Sequence, residues 1–367
     1  MKPTPEELSE KEARVRALMT ADGLDAVLIG RQDNFSWFTG GASGYVGIAS
    51  EASVASLLVT AQGKWLLCDN IEHARMLEEE LAGQGYASQS WQWWRPGLKQ
   101  AIVNLAGGDR VGSDIPLDGV QPMREKIARL RWSLLPSEVE RYRSLGKQAG
   151  AALAAVCRQV RPGMTEWHVT SLMGSSLLER GIIPTLLLVA ADERAYRCRH
   201  PIPTDKEIER HAMLVIGARK WGLIVSATRM VHFGKPDADL ARKHGAVVQV
   251  DAAFISATRP GAVVSDILKA GQQAYAQAGF PDEWQHHHQG GPTGYASREF
   301  RATDQSSEVV LENQAFAWNP SIAGTKSEDT VIATAQGPEI LSLTDDFPAV
   351  EVEAGGQLWL RPALLIL

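Results

Sequence analysis

AMLVIGARKWGLIVSATR, residues Ala212–Arg229, decides the architecture of the C-terminal half. Ala212–Ile216 is a short, uncharged apolar run, the pattern of a buried strand. Trp221–Ser226 repeats that character after a break at Ala218–Lys220, so the two runs read as the arms of a β-hairpin. Upstream, apolar residues recur at helical spacing over Ser137–Val160, RPGMTE (Arg161–Glu166) breaks the pattern, and Thr165 caps a second helix running to about Arg180. Leu186–Ala190 is strand-like. Downstream, the pattern predicts a helix over Asp237–His244, a strand over Val247–Ile255 and a helix over Val264–Ala278. Phe316–Asn319 and Thr330–Thr334 then close the sheet. Arg161-Pro162-Gly163 and Arg259-Pro260-Gly261 each precede a helix, a hint of internal duplication.

The N-terminal half alternates in the same way. A helix over Pro5–Ala21 leads to a buried strand at Leu24–Gly30, then to RQDNFSWFTGG (Arg31–Gly41), read as a polar loop with embedded aromatics. Val54–Thr60 and Lys64–Asp69 form a strand pair, Ile71–Ala82 a helix, and Val111–Ile115 a last strand. Composition shifts around Gln121–Pro136, which places a boundary near Leu130 and divides the chain into 1–130 and 131–367. Alternating elements of this kind specify an α/β (α+β) protein of two domains.

The 367 residues are 44% apolar and 22% charged, with a net charge of −6. That balance argues against nucleic acid or an anionic membrane as the main partner. MKPTPEELSEKEARVRALMT is charged and amphipathic, so no secretory signal is expected. No apolar run approaches the roughly 20 residues that span a bilayer. Cys68, Cys157 and Cys198 are odd in number and widely spaced, which favours reduced thiols in a cytoplasm.

One stretch stands out chemically: WQHHHQGGPTGYASRE, Trp284–Glu299. His286, His287 and His288 suggest a metal at first sight, but side chains alternate along a strand, so three consecutive residues are not expected to face one pocket.

Four pieces occur in order: His200-Pro201 with PTDKEIE, GARKWGLIVSATR (Gly217–Arg229), HHQGGPTGY (His287–Tyr295) and AWNPSIAGTKSEDTV (Ala317–Val331). Together they resemble the creatinase/prolidase/aminopeptidase P family, and DNFSWFTGG resembles the aromatic–Thr–Gly loop of its first domain. The resemblance implies an N-terminal creatinase-type αβ domain followed by a C-terminal pita-bread domain. Metallopeptidases of that family hold two divalent metals through two aspartates, a histidine and two glutamates. Carried over by motif, those five positions fall on Val215, Ser226, Gly291, Asn319 and Glu328, and only the last keeps its ligand. Valine and glycine offer no donor atom, and serine and asparagine no charge, so neither a divalent metal nor any other cofactor is expected.

By analogy with the metal-free creatinase branch, His200 is then the expected general acid/base, with Glu328 as the second catalytic group. Arg298 and Glu299 stand at the family's His-Glu pair, and a guanidinium there suits a carboxylate of the ligand. Asn319, Ser226, His287, His288 and Tyr295 are the remaining candidate substrate contacts in this half. Trp37 and Asn34 join them because the family's first-domain loop reaches a partner subunit's site in its dimers. Arg194, Arg197 and Arg199 would make the mouth positive. The expectation is a cytoplasmic homodimer that hydrolyses a C–N bond of a small, anionic amino-acid derivative without metal. Two alternatives stand beside it: an Xaa-Pro aminopeptidase or dipeptidase of metallopeptidase type, and a non-catalytic ligand- or protein-binding member of the fold. An unconventional metal at His286, His287 or His288 stays open.

Overall fold

The computed structural model describes residues 2–367. Two compact units divide the chain, one running to Arg131 with Leu135–Glu138, the other comprising Trp132–Leu134 and Val139–Leu367. The first unit is built on a six-stranded sheet. Its strands are β1 (Ala26–Arg31), β2 (Ala52–Thr60), β3 (Lys64–Asp69), β4 (Ala87–Trp91), β5 (Val111–Ser113) and β6 (Gln121–Pro122), in the order β4-β3-β2-β1-β5-β6. Leu28, Leu58, Leu67 and Ile102 form the core against one face. The segment Gln32–Phe38, read as a loop, is a helix. Its aromatics are the reason: Phe35, Trp37 and Phe38 are buried, and helical backbone satisfies the polar groups that such burial would otherwise strand.

The second unit is an α/β pita-bread fold in which one order of elements occurs twice. Helices Pro136–Cys157 and Glu166–Leu178 lead into β7 (Ile183–Ala191), β8 (His211–Lys220) and β9 (Leu223–His232). Helices Ala238–Ala257 and Val264–Gln277 lead into β10 (Gly290–Thr293), β11 (Gln314–Trp318), a two-residue hairpin of β12 (Ser321–Ile322) and β13 (Thr325–Lys326), β14 (Asp329–Thr334) and β15 (Gly337–Ile340). The hairpin of β16 (Ala349–Ala354) and β17 (Gln357–Pro362) follows, and β18 (Leu365–Ile366) returns beside β9. The main sheets run β18-β9-β8-β7 and β10-β11-β14-β15. Both are closed by hairpins with antiparallel register, and in the first of them Val215 faces Thr228 and Gly217 faces Ser226.

Val247–Ile255 is not a strand. It continues the helix that Asp237 caps through its side chain, and the whole runs to Ala257. Four β-branched residues mimic a strand locally, but burial recurs at Leu240, His244, Val247, Val248, Asp251 and Ile255, a helical stripe. From the same helix, Phe254 stacks on Trp318 of β11 at 4.7 Å between ring centroids. Gly271 lets the next helix approach, since a Cβ there would stand 2.0 Å from the Phe254 ring.

A buried ion network ties these pieces together. Arg361 on β17 donates to Asp251 on the helix (Nε, 3.0 Å) and to Asp329 on β14 (Nη2, 2.7 Å). Arg229 on β9 donates to the other oxygen of Asp329 at 2.9 Å and to the Ser342 carbonyl at 2.8 Å. All four side chains are almost fully buried. No helix among the described residues is long and apolar enough to cross a membrane.

Arg361→Met leaves Asp251 buried without its cation and is expected to cost about 3–5 kcal/mol of unfolding free energy by denaturant titration. Arg143→Ala, which removes a solvent-exposed pair with Glu339, should cost no more than ~1 kcal/mol. Equal effects would show that the network adds nothing beyond surface pairing.

Candidate functional site

The two hairpins bring the predicted residues together through main-chain pairing. Thr228 on β9 and Glu328 form a bridge across the two sheets, with Thr228 N donating to the Glu328 carbonyl at 3.0 Å. Ser226 N donates to Thr330 Oγ1 at 2.8 Å, which fixes the same seam one register further along. Pairing of β10 with β11 sets Asn319 beside Gln289, whose carbonyl accepts from Asn319 N at 3.1 Å.

Glu328 is held from three sides. Lys326 Nζ lies 2.7 Å from Oε2, Thr228 Oγ1 donates to Oε2 at 2.8 Å, and Arg298 Nη2 lies 3.2 Å from Oε1. Burial alone would raise the carboxyl pKa, but Lys326 and Arg298 outweigh it and hold the group at about 2. Glu328 is therefore held as a carboxylate at neutral pH.

His200, His287 and His288 form a cluster. Their rings contact one another with centroids 4.5–5.9 Å apart, and His287 Nε2 lies 3.1 Å from His200 Nε2. One nitrogen from each lies within 4.8 Å of the others, a spacing that could hold a metal ion. The alternation argument fails here for a local reason. A 3₁₀ turn over Glu283–His286 ends just before His287, and β10 begins only at Gly290, so the two histidines sit in irregular chain. His286 alone points away and is exposed. Gln289 locks the segment, donating to the His287 carbonyl at 2.6 Å and to that of Trp284 at 3.0 Å, while its own Oε1 accepts from Tyr275. Arg199 pairs with Glu283 at 2.8 Å and so fastens the His200 loop to the turn before His287.

Desolvation and the nearby Lys326 depress His200, although Glu328 partly opposes them. Desolvation, Lys326 and the neighbouring imidazoles take His287 down to about 3. Desolvation and Arg298 with Arg301 take His288 to about 4. All three rings are neutral near pH 7, the form that donates a lone pair.

Other candidates are placed as follows. Asn319 is buried and its Oδ1 has no partner, and Arg298 Nε is likewise unpartnered. Tyr295 and Ser226 are buried beside the same seam, and Glu299 N donates to the Pro292 carbonyl at 2.8 Å. Arg194 is tied to Glu166 and Arg199 to Glu283, so two of the three mouth arginines serve structure. Trp37 and Asn34 belong to the first unit, where both are fully buried. Asn34 donates to Asp114 at 2.8 Å and accepts from Arg131, so within the first unit its side chain is engaged in core hydrogen bonds. Sequence reasoning missed Lys326, whose signal was its place two residues before Glu328, and Arg301.

The five motif positions do not fit a pair of metals. Val215 packs with Leu188, Met213 and Met230 in an apolar cluster. Gly291 has φ +148°, and a Cβ there would stand 2.6 Å from the Phe300 carbonyl oxygen, so no imidazole can occupy it without moving backbone. Both oxygens of Glu328 are already engaged by cations.

Comparison with known proteins corrects one expectation nonetheless. Residues 140–335 match metallopeptidase family M24, and residues 12–145 match the creatinase/prolidase N-terminal domain. An Xaa-Pro dipeptidase of Pyrococcus horikoshii is 21% identical over 362 residues, covering 92% of this chain and 98% of that one. The Xaa-Pro dipeptidase of Lactobacillus delbrueckii subsp. lactis is 25% identical over 71% of this chain and 72% of its own. Among solved structures, the Xaa-Pro dipeptidase from Bacillus anthracis superposes with a TM-score of 0.80 at 17% identity over 98% of this chain and all of that one. The prolidase from Pyrococcus horikoshii gives 0.79 at 19% identity, covering 92% and 99%. Metal-independent, creatinase-like chemistry without a cofactor is thereby overturned, because the relatives and the matching family are metallopeptidases of the prolidase kind. With its N-terminal domain and its pita-bread fold, the chain belongs to metallopeptidase family M24.

Proposed function

We propose that the protein is a metal-dependent peptidase acting on dipeptide-sized substrates, of the Xaa-Pro dipeptidase type to which its relatives belong. The observation that carries this reading is the charge pattern beside the histidine cluster. Arg298 and Lys326 face a single carboxylate, Glu328, which leaves one positive charge uncompensated, and Arg301 adds a second within electrostatic reach of His200 and His288. A dipeptide carries its own carboxylate close to the scissile bond, and a guanidinium fork with a free Nε suits that group. The unpartnered Asn319 Oδ1 is placed to accept an N–H from the substrate. His200 is exposed while its neighbours are not, so it is the ring that meets incoming substrate and solvent. The three cysteines are unpaired, which supports a reducing compartment such as the cytoplasm.

A second reading, binding of such a ligand without turnover, is favoured by one specific observation: the residues at four family ligand positions supply no metal-binding charge.

A panel of Xaa-Pro and other dipeptides, assayed with and without a chelator, separates the two. Hydrolysis that stops on chelation and returns with added divalent metal supports the peptidase. Thermal stabilisation by dipeptides with no product formed under any metal supports the second reading, and neither effect removes both. Arg298→Gln should raise KM roughly tenfold or more for free dipeptides while changing little for their C-terminal amides. An equal loss on both would place Arg298 away from the substrate carboxylate.

A further inference from the structure

The histidine cluster is more than the proton-transfer group its residue types suggest. Two neutral imidazoles can share one N–H···N bond, and His200 with His287 at 3.1 Å accounts for that. The third ring is then unexplained. His288 lies against both others, yet its buried Nδ1 has no hydrogen-bond partner, and neither has Nδ1 of His287. Leaving a buried polar nitrogen unpaired costs about 1–3 kcal/mol, and an ion taken by Nε2 of His200 and His287 could relieve the orphan of His288 but not that of His287.

A metal explains the arrangement. In a tetrahedral site with metal–nitrogen bonds of about 2.0–2.1 Å, ligand nitrogens stand roughly 3.3 Å apart. The His200–His287 pair is already near that distance, and the whole set lies within 4.8 Å, so its widest pair closes by at most about 1.5 Å to reach tetrahedral spacing. The loop carrying His200 and the segment carrying His287 and His288 are joined by the Arg199–Glu283 pair, so the ligands are held before any ion arrives. We propose that His200, His287 and His288 form a mononuclear metal site with an open fourth position, replacing the family's two-metal centre. Three imidazoles without an anionic ligand select a borderline cation of the zinc class over magnesium or calcium. Lys326 and Arg298 share the one carboxylate of Glu328 within electrostatic reach of the cluster, so its fourth position favours an anionic ligand. The proposal rests on the metallopeptidase reading for its role, and on the geometry of these three side chains for its existence.

The full-length protein, loaded with zinc and dialysed, should retain about one equivalent by elemental analysis. Cobalt(II) in its place should give the intense visible bands of a four-coordinate ion. His287→Ala and His288→Asn, each checked for folding by circular dichroism, should lose both signals, whereas Glu328→Gln should keep them. Wild-type protein holding no zinc, or histidine variants that hold as much as wild type, overturns the proposal. So does loss of metal in Glu328→Gln alone, because the ion would then sit at the family's original place. Protein that holds one zinc but cleaves no dipeptide leaves this site standing and removes the peptidase reading instead.

Discussion

Four buried charges hold the C-terminal unit in the shape its chemistry needs. Arg229, Asp329, Arg361 and Asp251 come from a strand of each main sheet, the C-terminal hairpin and the helix behind them. Each aspartate faces a guanidinium, so the desolvation of one charge is offset by the other, and the network is neutral as a whole. Its members are also chain neighbours of the site. Asp329 follows Glu328, Arg229 follows Thr228, and Ser327 donates to Asp251. The backbone that presents Glu328 is thus pinned on both sides before any ligand contact is made, which is how a fixed geometry arises on the short segment between β13 and β14.

That fixed carboxylate changes what the site can offer. In a two-metal centre a glutamate here would share its oxygens with ions, but Lys326 and Arg298 now take those oxygens and lower its proton affinity. Organic cations thus stand against the one surviving ligand. The imidazoles gather within electrostatic reach of Lys326 and Glu328, in chain that is neither helix nor strand. The histidines and the anion-seeking side chains therefore form two adjoining functions, one able to donate lone pairs and the other able to receive a carboxylate.

Much of this was legible in the sequence, and the reasons for the rest are specific. The hairpin over Ala212–Arg229 was legible from its two apolar runs, but Ala218–Lys220, read as the break, belongs to the first arm and the turn falls at Trp221-Gly222. The order of motifs drew attention to Ser226, Asn319 and Glu328, and the structure shows all three buried, Ser226 and Glu328 along one seam. The helix over Ala238–Ala257 was not, because Val247, Val248 and Val250 satisfy a strand template locally and only burial at Leu240, His244 and Asp251 reveals the longer period. His287 and His288 were discounted on strand alternation, which does not govern an irregular segment. Trp37 and Asn34 were assigned from a resemblance that says where a loop lies but not whether its side chains point inwards. Lys326 was overlooked because a lysine beside a carboxylate is usually a surface pair, and nothing local distinguishes it from a buried one.

Gly291 has a consequence for the wall of this site. Its backbone occupies a region that side chains rarely adopt, and the Phe300 carbonyl stands where a Cβ would be. A mutation that placed histidine at this position would meet a collision with the Phe300 carbonyl. The strand and the Phe300–Ala302 segment would have to separate first. Any side chain at this position therefore requires a concerted change in two segments of backbone, which makes Gly291 a point of the site wall that substitution cannot reshape locally.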